Sequence, residues 1–273
     1  MDRTEKMQRY ENYLRMEELA EGTIHIYLRE AECLEEYRSG RNISKDLMLE
    51  YKKMLLASGN RPTTVNLHIV AADRYLKYLG YTDCRLKTLR LQTRHSLESV
   101  LTIEEYHALL DYAKKSGKEK YYLILRTMAM TGIRVSELQF FTVEILEKKI
   151  ITVTGKQKTR EICIPEGLIP ELKDYCKKNS IKKGCIFYGK RGEPISRIAV
   201  YKMLVKMADK LGIEKGKVHP HSLRHLFAVT YMEHYGNLFE LADLLGHSSL
   251  ETTRIYARST AEKKRQKINE LGL

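Results

Sequence analysis

Apolar residues recur every three or four positions in four segments of the first ninety residues. The clearest repeats run over residues 24–34 and 65–79, and shorter ones cover 7–19 and 47–56. This spacing places the apolar side chains of each segment on one face of a helix. Glycine-containing breaks separate the segments, and Pro62 stands where the fourth helix would begin. The pattern predicts a small helical bundle over residues 1–85.

The periodicity is lost over residues 86–100, where basic residues outnumber acidic ones. This stretch favours an extended, basic linker. Thr102 then precedes Glu105 by three positions, the spacing at which a hydroxyl and a carboxylate satisfy the free amides of a helix start. A second domain is therefore expected over residues 101–273.

Helical periodicity and one β signal alternate in the second domain. An apolar helix runs up to Gly132, and two β-branched runs at 150–153 and 161–164 flank a polar turn, which predicts a hairpin. A short third strand is expected at 185–188. Further helices are expected over 168–179, 197–211, 221–234 and 238–245, with two short ones opening in S-x-x-E boxes at Ser248 and Ser259. The predicted fold class is mainly α with a small antiparallel sheet, as an N-terminal helical bundle followed by an α+β domain.

Composition narrows the class of protein. The chain has 273 residues, of which 43% are hydrophobic and 30% charged, a globular composition. No apolar run approaches the ~18 residues of a membrane span, and the charged N-terminus lacks a signal-peptide core, so we expect a cytoplasmic protein. The five scattered cysteines form no C-x-x-C pair, so reduced thiols and no zinc site are expected.

The net charge of +13 is unevenly distributed. Residues 1–90 carry 16 Lys and Arg against 14 Asp and Glu, whereas residues 91–273 carry 32 against 21. Such an excess indicates a polyanionic partner, either nucleic acid or a membrane surface. The chain has no sustained basic amphipathic helix, which argues against the membrane surface.

Arg134 follows the glycine that ends an apolar helix, in the run T-G-I-R-V-S-E-L. It is either a surface arginine beyond a C-cap or part of an anion site. In the second case Glu137, three residues later, would orient its guanidinium.

His221 and Arg224 stand three residues apart at a helix start marked by Pro220. The pair is either a polar helix face or an anion site, and the surrounding imidazoles and free helix amides favour the anion. His247 follows a glycine at a helix end, and Tyr256 comes nine residues later. Taken alone, this tyrosine is structural by default, because the chain has 18 tyrosines.

Lys156 lies near the tip of the predicted hairpin. Lysines on hairpin turns are usually solvated, but a flexible cation there can also reach into a cleft and donate a proton. Lys158 competes for the same role.

In this order, Arg134, Lys156, His221, Arg224, His247 and Tyr256 resemble the active-site pattern of the tyrosine recombinase, or phage integrase, family. The matching runs are T-G-I-R-V-S-E-L, T-G-K-Q-K-T-R, H-P-H-S-L-R-H-L-F-A, L-L-G-H-S-S and T-T-R-I-Y-A. The resemblance covers nearly the whole chain and is closest to compact Xer-type or invertase-type members. One departure is that the hairpin is a residue shorter than the usual G-K-G-x-K-x-R, which leaves Lys156 as the match and Lys158 as its rival.

The resemblance implies a helical core-binding, SAM-like DNA-binding domain at 1–85, a basic linker at 86–100, and a catalytic domain at 101–273 that ends in a docking helix. The expected activity is site-specific cleavage and rejoining of DNA through a covalent 3′-phosphotyrosine, giving integration, excision, inversion or resolution. The expected partners are double-stranded DNA with inverted half-sites and identical subunits in a tetramer. A second recombinase or an accessory protein is a further possible partner.

The resemblance also implies a role for each residue. Tyr256 would attack the phosphate, His221 would accept its proton, and Arg134 and Arg224 would clamp the non-bridging oxygens. Lys156 would protonate the leaving 5′ oxygen, and His247 would hydrogen-bond the phosphate. No metal or other cofactor is expected.

Two other functions fit the same scaffold. One is a catalytically silent DNA-binding regulator, which would have no need for the complete set of six residues. The other is a relaxing enzyme like type IB topoisomerases, which shares the covalent step but transfers no strand between duplexes.

Overall fold

The computed structural model describes residues 3–91, 100–154, 159–189, 192–247, 249–257 and 269–270. The chain divides into two compact units, Met1–Arg94 and His95–Leu273. No helix in the described ranges is long and apolar enough to cross a membrane.

The first unit contains the four expected helices. They are α1 (Arg3–Met16), α2 (Glu21–Arg38), α3 (Lys45–Ala57) and α4 (Pro62–Tyr78). Pro62 occupies the first turn of α4, where its missing N–H costs nothing. The core lies where α4 packs against α2 and includes the fully buried rings of Tyr10, Tyr51 and Tyr75.

The start of the predicted linker lies on this first unit. Leu86 is buried, and its N–H donates to Asp73 of α4 at 2.9 Å. The side-chain amide of Asn66 bonds both the N–H and the carbonyl of Leu89. Residues 86–89 are thus held by polar side chains of α4, while residues 92–99 of the linker lie outside the described residues.

The second unit is mainly helical, with one hairpin. Its elements are α5 (Ile103–Lys115), α6 (Glu119–Thr131), α7 (Ile145–Lys148), β1 (Ile150–Thr154), β2 (Thr159–Cys163), α8 (Leu168–Lys178), α9 (Arg197–Leu211), α10 (Pro220–Tyr235), α11 (Leu238–Leu245) and α12 (Leu250–Arg254). Short 3₁₀ segments occupy Val135–Phe140 and Ile255–Ala257. The predicted fold class, mainly α with a small antiparallel sheet, is confirmed.

Helix α6 forms the centre of the second unit, with α5, α8 and α10 packed around it. Because most of its residues from Tyr122 to Met128 are buried, its sequence reads as an almost continuous apolar run. Strands β1 and β2 pair antiparallel, with Ile151 opposite Ile162 on the buried face. The predicted capping box at Thr102 and Glu105 is present at the start of α5.

Two local expectations are wrong. Residues 185–188 do not form a third strand, because Cys185 bridges Thr142 while Tyr188 bridges Pro194, so no continuous ladder develops. The cap of α12 is Ser249 rather than Ser248, since the Ser249 hydroxyl accepts from the N–H of Glu251. Ser248, and the predicted box that opens at Ser259, lie outside the described residues.

Candidate active site

The ends of several helices meet at one pocket of the second unit. The pocket has a volume of about 220 Å³ and is lined by Ile133, Arg134, Val135, Ser136, Arg197, Pro220, His221 and Arg224. Gly132 ends α6 in the left-handed conformation and turns the chain so that Arg134 reaches this pocket. Pro220 begins α10, which places His221 and Arg224 in its first turns.

Arg134 is oriented by hydrogen bonds to Glu137. The Glu137 carboxylate accepts from the Arg134 N–H at 2.7 Å and from its guanidinium at 3.1 Å. The other terminal nitrogen of Arg134 donates to the Gly246 carbonyl at 3.2 Å. The side chain remains 38% exposed, so the guanidinium is fixed in place and still accessible from the pocket.

Arg160 of β2 binds the same carboxylate. Its two terminal nitrogens donate to the two Glu137 oxygens at 3.0 and 2.7 Å, in a parallel fork. Burial would raise the pKa of Glu137, but the hydrogen bonds from Arg160 and from Arg134 outweigh it and hold the pKa below its usual value. Glu137 is therefore an anion that supports two arginines.

Arg224 is almost completely buried and is oriented by main-chain carbonyls. It donates to Gly132 at 2.7 Å and to Leu245. Burial, together with the charges of Arg134 and Arg160, lowers its pKa to about 9. Because the positive charge is held in a site that disfavours it, an anion entering beside it would be strongly attracted.

Two histidines at this site are biased toward the neutral form. Burial, and then the charge of Arg224, lowers the pKa of His221. The same two causes, with Arg134 and Arg160, lower the pKa of His247 to about 4. His247 Nδ1 lies 2.8 Å from the Thr253 hydroxyl, which fixes the ring at the end of α11.

Tyr256 lies in the 3₁₀ turn after α12 and packs on α10 and α11. Its ring is buried in a small cluster with Ala228, Leu241 and Leu245. Burial raises the pKa of its hydroxyl to about 12, opposed by the charge of Arg224. The hydroxyl is within hydrogen-bonding distance of His225 Nδ1, and the two ring centroids are 5.6 Å apart.

The structure brings five of the six predicted residues into one region: Arg134, His221, Arg224, His247 and Tyr256. Lys156 and its rival Lys158 lie outside the described residues. In the part of the chain that the structure describes, no group of three His, Cys, Asp or Glu side chains is arranged to hold a metal ion.

Sequence reasoning did not single out Arg160, Arg197 or His225. Strand alternation puts Arg160 on the same face as the buried Ile162, which is the signal for an inward-facing arginine. His225 stands four residues after His221 and so shares its helix face. Arg197 is the first residue of α9, where a cation opposes the helix dipole unless an anion is near.

Comparison with known proteins identifies the family to which the chain belongs. Residues 99–263 match the phage integrase family. The chain is 31% identical to the tyrosine recombinase XerA of Pyrococcus furiosus over 99% of this chain and 95% of that protein. It is 28% identical to the tyrosine recombinase XerD of Halalkalibacterium halodurans over 88% of this chain and 85% of that protein.

Among solved structures, the chain superposes on the Tn1549 transposon integrase in complex with transposon right-end DNA. The TM-score is 0.78 at 19% identity, covering 98% of this chain and 99% of that one, and it shows a shared fold. The class defined by the fold and the family match is that of the site-specific recombinases. The chain belongs to the phage integrase family and is a tyrosine recombinase.

Proposed function

We propose that this recombinase cleaves and rejoins double-stranded DNA through a covalent 3′-phosphotyrosine on Tyr256, without a metal ion. The observation that carries the proposal is the pocket where Arg134, Arg224 and His221 converge. The guanidiniums of both arginines are oriented by hydrogen bonds to backbone or carboxylate oxygens, and that of Arg134 is still accessible. Such preorganised cations suit the charge that develops on a phosphate under attack.

Each residue has a role in this proposal. Arg134 and Arg224 bind the two non-bridging oxygens, and His247 donates a hydrogen bond to the same phosphate. The family resemblance assigns acceptance of the Tyr256 proton to His221 of α10. Lys156 protonates the 5′ oxygen as it leaves. The phosphotyrosine conserves the energy of the broken phosphodiester, so a 5′-hydroxyl of a second strand can reverse the step.

Arg197 extends the same pocket. Its side chain lines the cavity with His221, and its charge contributes to lowering the pKa of both His219 and His221. A third arginine at this position suits a neighbouring phosphate of the same DNA strand. We therefore include Arg197 among the residues that bind the DNA backbone.

Charge supports a DNA partner. Residues 91–273 hold 32 Lys and Arg against 21 Asp and Glu, so most of the positive excess lies in the half of the chain that contains the pocket. If the chain makes about 6 to 10 phosphate contacts, its affinity falls by orders of magnitude between 50 and 200 mM salt. Structures of related recombinases in complex with DNA add support.

The proposal extends to domains and assembly. Residues 1–85 would form the core-binding domain, which holds the duplex together with the catalytic domain at 101–273. Two protomers would bind inverted half-sites, and two such duplexes would form a tetramer in the cytoplasm. The C-terminal docking helix, expected over residues 259–271, would bind a neighbouring protomer; of these residues the structure describes only 269 and 270.

Covalent trapping tests the proposal. The protein is incubated in EDTA with nicked genomic DNA fragments, SDS-resistant adducts are collected, and the attached DNA is sequenced. We expect adducts from the wild type and none from Tyr256→Phe, which keeps its affinity for DNA because only one hydroxyl is removed. Tyr235→Phe, an exposed tyrosine on α10, is the matched control and should form adducts.

Two results would contradict the proposal. Adducts from Tyr256→Phe would show that another residue is the nucleophile. Binding of DNA by the wild type without any adduct would favour the silent regulator. Strand transfer between two duplexes, measured with the recovered sequence, separates recombination from relaxation alone.

A further inference from the structure

The imidazole closest to the reacting hydroxyl belongs to His225 rather than His221. His225 Nδ1 is within hydrogen-bonding distance of the Tyr256 hydroxyl, and their rings are tilted by 50° at a centroid separation of 5.6 Å. The centroids of the His221 and His225 rings are 6.1 Å apart, and His221 is the one that lines the pocket. His225 therefore lies between the nucleophile and the pocket's imidazole.

We propose that His225 is the catalytic base that accepts the proton of Tyr256 when the tyrosine attacks DNA. The proposal rests on the proposed function, because it requires Tyr256 to be the nucleophile. It gives His221 a different role from His225: His221 lines the pocket and donates a hydrogen bond to the phosphate.

The position of the two histidines on α10 explains this division. They are four residues apart, so their side chains lie one turn apart on the same helix face. His221 is in the first turn, beside Arg134 and Arg224. His225 is one turn deeper, where the 3₁₀ turn carrying Tyr256 packs against α10.

Tyr256 needs a base because its hydroxyl is buried and resists ionisation. Burial raises the pKa of Tyr256 to about 12, so almost none of it is ionised at neutral pH. A proton acceptor in direct contact removes the need for a free tyrosinate. General-base catalysis of this kind contributes about 10²- to 10⁴-fold to a rate.

The proton transfer balances as follows. The Tyr256 oxygen forms a bond to the scissile phosphorus as the bond from phosphorus to the 5′ oxygen breaks. The Tyr256 proton passes to Nδ1 of His225, in the tautomer that carries its hydrogen on Nε2, and gives an imidazolium. The leaving 5′ oxygen takes a proton from the general acid, assigned above to Lys156. In the rejoining step the imidazolium returns its proton to Tyr256.

Several titratable groups lie near His225. His221 and Arg224 are on its own helix, Tyr256 comes from the turn after α12, and His247 comes from the turn after α11. The charge of His225 contributes to lowering the pKa of His247. The pH dependence of the reaction must therefore be compared between variants at each of the two α10 histidines.

The test uses the full chain and a nicked duplex with the sequence recovered by adduct trapping. The rate of adduct formation is measured from pH 5.5 to 9 for the wild type, His225→Asn, His225→Ala and His221→Asn. His225→Asn keeps a polar atom near the position of Nδ1 but accepts no proton. His234→Asn is the matched control, because His234 is on the same helix and bonds the Thr230 carbonyl.

The wild-type rate should fall at acid pH as His225 becomes protonated. His225→Asn should form adducts about 100-fold more slowly at pH 7, with a rate that rises with pH up to 9. Its affinity for the duplex should stay within about twofold of wild type, because affinity comes mainly from phosphate contacts. Added imidazole should restore a large part of the rate to His225→Ala, whereas His234→Asn should behave as the wild type.

Other results would overturn the assignment. If His225→Asn kept the wild-type rate and pH profile, His225 would not be the base. If His225→Ala were slow but His225→Asn were normal, the ring would only position Tyr256. If the acid limb of the profile vanished in His221→Asn alone, His221 would be the base. Absence of adducts from the wild type would instead contradict the proposed function itself.

Discussion

Glu137 and Arg160 form an ion pair of 2.7 Å in which both side chains are almost completely buried. The pair is not isolated, because the same carboxylate also binds Arg134 at the edge of the pocket. A buried carboxylate with two arginines is well compensated, and its removal would leave two cations without their counter-ion. Glu137 therefore links the folding of β2 to the position of Arg134, an arginine that lines the pocket.

Glu137→Gln should destabilise the protein and slow cleavage together. Loss of one partner from a buried ion pair costs about 3–5 kcal/mol. Without the carboxylate, Arg134 also loses the group that orients it, so adduct formation should fall by at least 10-fold. Chemical denaturation and the adduct assay measure the two effects. Glu147→Gln, which breaks an exposed pair with Lys173, should change neither; a similar loss there would show that any lost ion pair has this effect.

The lowered pKa of Glu137 also predicts how the stability of the protein depends on pH. The pKa of Glu137 is lower in the folded protein than its ordinary value of 4.5. The folded state therefore holds this proton less tightly, and the carboxylate contributes stability that is present above pH 4.5 and lost as the pH falls below it. The difference in unfolding free energy between wild type and Glu137→Gln should shrink below pH 4.5. A constant difference down to pH 3 would contradict this.

Gly246→Ala tests the turn that contacts both Arg134 and Arg160. Gly246 has a φ of +62°, and an added Cβ would lie 2.7 Å from Cδ of Arg160. Its carbonyl also accepts from Arg134. The left-handed conformation alone costs about 1–2 kcal/mol for a residue with a Cβ, and the clash adds displacement of Arg160. We expect lower stability and a cleavage rate reduced by at least 10-fold.

Gly236→Ala is the matched control for this substitution. Gly236 ends α10 with a φ of +66° and has no atom within 4 Å of an added Cβ. It should lose a similar amount of stability from backbone strain and still cleave DNA. Equal loss of cleavage in both variants would assign the effect to stability alone.

Local signals in the sequence predicted the helices and the ends that position the site. Gly132, Pro220 and the box at Thr102 lie at helix ends as expected, because each acts on its own backbone. The roles of Arg160 and His225 depend instead on contacts between segments 23 and 31 residues apart. The prediction of a third strand was wrong for a related reason, since Cys185 bridges the distant Thr142 while Tyr188 bridges the nearby Pro194. Such long-range pairings leave no periodic signal.

Thr253→Val should weaken catalysis with little effect on the fold. Thr253 is fully buried and its hydroxyl lies 2.8 Å from His247 Nδ1. Valine has nearly the same shape, so the change removes only the hydrogen bond that fixes the ring, worth about 1 kcal/mol. Adduct formation should fall by about fivefold with a small change in melting temperature. Thr252→Val in the same helix, whose hydroxyl bonds the Ser249 carbonyl, should keep the wild-type rate.

The lowered pKa of His247 gives a second prediction about how stability depends on pH. Its pKa is lowered to about 4 by burial and by the charges of Arg224, Arg134 and Arg160. An unfolded histidine has a pKa of ~6.5, so between these values the unfolded state binds a proton that the folded state does not. Stability is therefore complete above pH 6.5 and falls as the pH drops toward 4, by up to about 3 kcal/mol. His247→Gln should flatten this part of the curve.

A bound anion should reverse part of that shift. Phosphate in the pocket would offset the charges of the arginines, so the pKa of His247 should rise when inorganic phosphate or the nicked duplex is added. Nitrogen NMR of the histidine side chains measures this directly, with exposed His234 as the internal reference. A pKa that stays near 4 with DNA bound would mean that the phosphate does not enter the pocket of Arg134 and Arg224, and the proposed phosphate contacts would have to be placed elsewhere.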